Sequence, residues 1–311
     1  QMCIRDRYAQ RDPRATAFFN SFNDQIARLP QEQQGDVRAF YEANGWRPVW
    51  NAERLRALNA VAARGERHGL APGDFFDFVG LAADPGSAEL RTTAAALLYA
   101  RVLAEGRVRP ETVEELWEMR KNRVDLPGGM TGAMASNRLL DWFEGLAPTD
   151  IGYQNLSAGY IRYRRLMADG GWPAFAQGAT IEPGMSDRRV PALIARLTAE
   201  GDLTQEAGAR LKAQGLVYGS ELQNAVKGFQ ARHGLGADGR IGAGTQRSLS
   251  ASAQDRARQI ALNLERRRWL KREVAPERIE VNTAAAIMVY WKDGKPVHSN
   301  RVVVGTADNQ T

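Results

Sequence analysis

The chain of 311 residues is 43% hydrophobic and 25% charged, enough apolar material to bury more than one core, and its length corresponds to two or three domains. A formal charge of +6 and a pI near 9.6 favour an acidic partner, a role that nucleic acid, anionic lipid or a carboxylate-rich polymer could each fill. No stretch approaches the roughly 18 apolar residues that span a bilayer, and the basic residues fall as singles or short clusters such as Arg266-Arg267-Arg268 without a nucleic-acid motif. Neither a membrane span nor a nucleic-acid partner is expected.

Cys3 is the only cysteine, so no internal disulfide can form, and the three histidines, His68, His233 and His298, are too scattered to build a Cys/His metal site. No metal and no cofactor is expected. The opening QMCIRDR lacks the charged-then-apolar layout of an export signal, so residues 1–7 read as a non-native tag. The native N-terminus and any membrane anchor would then lie ahead of Tyr8.

From Tyr8 to residue 185 the apolar spacing is helical. Leu90, Ala94, Leu97, Leu98, Arg101 and Val102 trace one helix face, and Gly106 follows as a C-terminal stop. His68-Gly69-Leu70-Ala71-Pro72-Gly73-Asp74 and Gly170-Gly171-Trp172-Pro173 read as loops, and Glu182-Pro183-Gly184 marks the boundary to a second unit.

That unit, residues 186–252, is predicted as three short helices around one core: Val190 to Glu200, Ser220 to His233 and Gly242 to Leu249. The middle helix places Leu222, Val226 and Phe229 on one face, and the turn Gly234 to Gly239 supplies positive-φ positions for the chain to return. Residues 253–311 begin with an amphipathic helix, Arg256 to Leu270. The period then becomes strand-like: Ile287 to Trp291, the hairpin signal Asp293-Gly294, and a returning run Arg301-Val302-Val303-Val304-Gly305. Two strands make a marginal sheet on their own, so the chain is expected to stop inside a domain. The fold class is mainly α, closing on the first strands of a β-rich domain.

Three stretches resemble one family, the larger murein L,D-transpeptidases, in the family's own order. The scaffold resemblance rests on Tyr41-Glu42-Ala43-Asn44-Gly45-Trp46-Arg47-Pro48-Val49-Trp50, His68-Gly69-Leu70, Ala104-Glu105-Gly106-Arg107-Val108 and Gly170-Gly171-Trp172-Pro173. Val226-Lys227-Gly228-Phe229-Gln230-Ala231-Arg232-His233-Gly234-Leu235, followed by Asp238-Gly239-Arg240-Ile241-Gly242 and Thr245, resembles a peptidoglycan-binding domain; Ala243 stands where the family commonly has proline. Asn263 to Leu270, Ile279 to Thr283 and Arg301 to Gly305 resemble the start of a YkuD-type catalytic domain.

The resemblance implies a periplasmic enzyme that binds glycan strands and stem peptides and transfers an acyl group through a cysteine thiolate activated by histidine. Its Ser-His-Gly-Cys-type segment has no counterpart here, so no catalytic residue is assigned within this chain. A non-catalytic peptidoglycan-binding protein is the alternative. Gln230, Arg232, Asp238 and Arg240 are the binding candidates, being polar, beside a surface loop and able to bond sugars or pair with carboxylates; a merely solvated surface would explain them equally well. Phe229 and Trp269 are expected in cores, His233 and His68 at helix ends, and His298 facing solvent.

Overall fold

The computed structural model describes residues 13–76, 85–113, 122–283 and 285–305. Cys3 and the heptapeptide read as a tag lie outside them. The chain divides into two compact units, one comprising residues up to Arg162 together with Ala257–Arg272, the other Tyr163–Arg256 together with residues from Glu273. No helix among the described residues is long and apolar enough to cross a membrane.

The first unit is built from α1 (Pro13–Ile26), α2 (Gln31–Ala43), α3 (Ala52–Ala63), α4 (Pro85–Glu105), α5 (Leu126–Ala135), α6 (Leu139–Leu146) and α7 (Ile151–Ala168) as far as Arg162. The tail of α12 (Ala253–Trp269) completes it. Its core joins Phe22, Phe40, Leu58, Leu97, Met130 and Phe143.

The Tyr41 to Trp50 stretch is explained here by packing. After α2 the chain reverses at Gly45 and Trp46, both with positive φ, and the amides of Trp46 and Gly45 bond back to the carbonyls of Tyr41 and Glu42. That reversal drives Trp46 edge-on against Phe19 and Phe22, at 4.7 and 5.1 Å between ring centroids. Buried Glu89 then accepts from the Val49 amide at 2.6 Å and the Tyr41 hydroxyl at 2.9 Å, fixing the extended segment against α4.

The second unit holds α8 (Val190–Glu200), α9 (Gln205–Ala213), α10 (Ser220–Arg232) and α11 (Ala243–Ser250) around Val190, Leu193, Leu197, Leu222, Val226 and Phe229. The prediction of three helices omitted α9. Its only buried apolar side chain is Leu211, so its periodicity is faint, and it is held instead by a Thr204 cap and by close approach to α8. A Cβ on Gly208 would lie 2.3 Å from the Thr198 hydroxyl, which is why glycine occupies a helix interior there. Phe175 and Ile181 belong to the same core, and Ile181 bridges to Ile241.

The C-terminal residues form an antiparallel sheet in the order β1 (Arg278–Asn282), β2 (Ile287–Lys292), β3 (Lys295–Arg301). Asp293 and Gly294 have φ of 52° and 71°, the conformation that a two-residue hairpin turn needs. The return strand predicted at Arg301 to Gly305 is displaced toward the N-terminus. The tight turn pairs Lys292 with Lys295, so pairing starts at once and is complete by Arg301, with Val302 to Gly305 beyond the strand. Ile279 to Asn282, quoted above only for its resemblance, supplies the third strand.

Candidate functional site

The residues singled out for binding surround the loop between α10 and α11. The structure separates them into one buried organiser and three surface groups. Gln230 is 1% exposed, so it is not the surface contact expected from sequence. Its amide nitrogen faces Asp238 Oδ1 and the Arg240 carbonyl, both at 2.9 Å, and Thr245 Oγ1 at 3.0 Å, while its oxygen accepts from the Gly239 amide at 2.8 Å. A polar side chain on the buried face of α10 is consumed satisfying the inner rim of the loop, as a buried amide must be. Tyr218 donates to the Gly239 carbonyl at 2.7 Å from the other side. A Cβ at Gly239, where φ is +76°, would meet Gln223 Cγ at 2.6 Å.

Asp238 caps the loop by accepting from the Arg240 amide at 2.9 Å, and that bond, with the one from Gln230, holds its carboxyl below the usual range. Arg240 projects outward and grips Glu182 with Nε at 2.8 Å from Oε2, an exposed pair with donors left over. Arg232 points elsewhere. It reaches Asp202 at 2.5 Å and lies over the Phe229 ring, its carbon 5.4 Å from the centroid. The structure thus brings Gln230, Asp238 and Arg240 together and leaves Arg232 beside Asp202.

Asp202 also lines a shallow groove of 420 Å³ together with Thr204, Ala207, Glu221, Asn224, Ala225 and Gly228. Sequence reasoning missed this groove, because it depends on α9. The only available signal was the cap-like Thr204 ahead of Glu206.

A buried network beneath the surface also escaped notice. Arg196 and Glu200, i and i+4 on α8, are 0% and 1% exposed in their side chains and bond at 2.9 Å. The guanidinium stacks on Trp172 at 3.7 Å and donates to the Ala251 carbonyl, and Tyr163 donates to Glu200 at 2.6 Å. Burial would raise Glu200, but the Tyr163 bond and the two arginines outweigh it and hold the carboxyl down. The i, i+4 spacing was legible; its burial was not.

His233 caps α10 and packs on Phe229 at 4.2 Å between centroids; burial and the nearby Arg256 and Arg232 lower its pKa to about 4. Phe229 is fully buried, as its spacing predicted. His298 is exposed on β3. The Arg266-Arg267-Arg268 cluster is largely absorbed by the first unit: Arg268 is 1% exposed and Arg267 pairs with Asp150.

Residues 189–249 match the family model described as "Putative peptidoglycan binding domain". The match contains the whole loop and the groove. Residues 35–159 match a second model, described as "Scaffold domain". Peptidoglycan is therefore the supported partner of the peptidoglycan-binding segment, and the pairing of the two domains is consistent with an L,D-transpeptidase-like cell-wall protein. A search of curated proteins finds no match to the chain.

Proposed function

We propose that the chain is the murein-binding portion of an extracytoplasmic L,D-transpeptidase. The observation that carries the reading is the 189–249 segment, which matches a peptidoglycan-binding family and folds with a pinned loop and an adjacent groove on its surface. Asp238 and Arg240 on the loop, and Arg232 with Asp202 at the groove, supply the hydrogen bonds and charge that sugar hydroxyls, stem carboxylates and a diaminopimelate amine require. Gln230 acts from beneath by holding the loop in shape.

Acyl transfer is assigned to a catalytic domain whose first part lies within residues 253–311, after the linker helix α12. In that reaction a cysteine thiolate attacks the stem-peptide carbonyl at diaminopimelate, the C–N bond to the terminal D-alanine breaks, and the acyl group passes from sulfur to an acceptor amine while histidine carries the proton. Residues 8–311 contain no cysteine to perform that step.

The test is retention on purified sacculi, comparing the chain with a variant in which loop residues Asp238 and Arg240 and groove residue Asp202 are replaced together. Strong retention by the parent and at least about ten-fold weaker retention by the folded variant is expected, the effect of losing one or two charge-assisted bonds. Equal retention overturns the assignment. Retention with no acyl adduct formed by a carbapenem on a version extended past Thr311 would favour the non-catalytic binder.

A further inference from the structure

The first unit contains a second polar site, unrelated to the loop. A cleft of 690 Å³ opens between the α6–α7 connection and the turn before Gly69, lined by His68, Glu144, Tyr153, Gln154, Ser157 and Ala158 among others. Its floor is set by a chain of donors whose direction can be worked out. Arg268 is buried and its guanidinium can only donate, so its Nη1 must give a hydrogen bond to the Tyr153 oxygen, 3.0 Å away. The Tyr153 proton is then free to go to His68 Nδ1, also at 3.0 Å. A neutral His68 receiving there carries its own proton on Nε2.

His68 is 95% buried by accessible surface, 5% exposed, and among the described residues its Nε2 has no hydrogen-bond partner. The nearest acceptor, Glu144 Oε1, stands 3.7 Å away, beyond hydrogen-bond range. Burial, with Arg268 and Arg67 nearby, lowers the His68 pKa to about 3, which keeps the ring neutral. A buried N–H without an acceptor is costly, and this one belongs to a residue that lines the cleft, where a ligand could supply the acceptor.

We propose that this cleft is a carbohydrate-hydroxyl site, so that the first unit contacts the glycan strand directly. With the partly exposed Glu144 side chain swung slightly aside to uncover the buried Nε2, one hydroxyl oxygen about 2.8 Å from both groups would accept from His68 and donate to Glu144. A carboxylate could accept from His68 but has no proton to donate to Glu144, and an ammonium could not satisfy the His68 donor. Arg67, 3.2 Å from Glu144, balances its charge, so the site suits an uncharged ligand. Ala147, Pro148 and Ile161 add apolar surface for the C–H face of a sugar ring. The assignment of the sugar to murein rests on the function proposed above; the site itself rests on the first unit alone.

The experiment uses the full chain, with nuclear magnetic resonance of the histidine side chains during titration by peptide-free murein glycan strands and, separately, by the free stem tetrapeptide. Glycan should shift the His68 Nε2–H signal and slow its exchange. Ala158→Trp, which fills the cleft without touching a hydrogen-bonded group, should abolish that response yet leave sacculus retention through residues 189–249 intact. Glu144→Gln should weaken it about ten-fold, the cost of losing one charge-assisted bond. A silent His68 while sacculi are retained overturns the site and spares the murein assignment, as does a bridging water that ignores glycan. An undiminished response in Ala158→Trp, or a response to tetrapeptide alone, also overturns it. Failure to bind either sacculi or glycan overturns both readings.

Discussion

Each unit has an almost fully buried arginine at the centre of a polar network, Arg196 in the second and Arg268 in the first, and the two networks differ in how they end. In the second unit Arg196 pairs with Glu200 on its own helix, receives the Trp172 ring on its face, and is closed from the other side by Tyr163 donating to Glu200. In the first, Arg268 pairs with Glu265 at 2.7 Å and bonds Tyr153, but the chain continues to His68 and stops at an N–H that nothing among the described residues receives. Each guanidinium keeps one buried nitrogen without a hydrogen-bond partner among the described residues, Arg196 Nη2 and Arg268 Nε, but the second unit's relay ends on the paired Glu200 carboxylate and the first unit's on His68 Nε2. A relay that ends on an ion pair specifies packing, whereas one that ends beside a cleft offers a binding group already held in position.

The largest expected effect comes from breaking the Arg196–Glu200 network. Arg196→Ala leaves Glu200 buried with less compensation and strips Trp172 of its partner, so unfolding of the second unit should be easier by about 3 kcal/mol or more. The double replacement Arg196→Met with Glu200→Leu should recover most of that loss, because it removes both charges and keeps the volume. Urea unfolding, with hydrogen exchange reporting each unit separately, reads both. If the double variant is as unstable as the single one, stacking and shape matter here more than charge.

The histidines sharpen the comparison through pH. His68 and His233 are lowered from 6.5 to about 3 and about 4. As pH falls, the unfolded chain binds protons first, so this stability is complete above about 6.5 and is lost as pH falls toward 4 and then 3. Buried His68 should contribute a slope on the order of 1 kcal/mol per pH unit in that window. His68→Gln should flatten the slope in the first unit and leave it unchanged in the second. A parent protein whose first unit is equally stable at pH 7 and pH 4.5 would contradict the neutral, Nε2-protonated His68 on which the cleft argument depends.

Gln230→Leu comes next. It keeps the volume but orphans the Gly239 amide and removes a partner of Asp238, and a loss of about 2 kcal/mol is expected. Amides of the 234–242 loop should exchange faster, while α8 remains protected at low denaturant. An unchanged loop would mean that Tyr218 and the Asp238 cap hold it without help.

What the sequence revealed depended on whether a residue's role is local. The helix faces at Leu90 to Val102 and Leu222 to Phe229 repeat with the helical period, and the Asp293-Gly294 turn dictates its own conformation, so these were legible. Gln230 was misplaced on the surface because a polar letter gives no sign of facing inward when its partners, Asp238, Gly239 and Thr245, are brought in by a turn. Helix α9 was invisible because a glycine packed on Thr198, rather than an apolar stripe, fixes it. The groove went with it. His68 was expected at a helix end with a structural role, and it lies at such an end, but the residues that give it meaning are 85 and 200 positions away in Tyr153 and Arg268. The YkuD-type reading of the last strands rests on resemblance alone.

The smallest stability effect is expected at Arg240, and it separates contact from scaffolding. Its guanidinium is exposed and its pair with Glu182 is a surface pair, so Arg240→Ala should leave the unfolding free energy almost unchanged. The backbone of the same residue is structural, since its amide and carbonyl bond Asp238 and Gln230, and both survive in the variant. A fall in sacculus retention would therefore report a lost contact with the polymer rather than a loosened loop. Glu182→Ala provides the control. It frees Arg240 from its partner, and retention should hold or rise at low salt if the arginine binds stem carboxylates, with the difference shrinking as salt screens the charge. Retention that is unchanged in Arg240→Ala and falls in Gln230→Leu would place the contact surface at the groove beside Asp202, with the loop serving only to hold α10 and α11 in place.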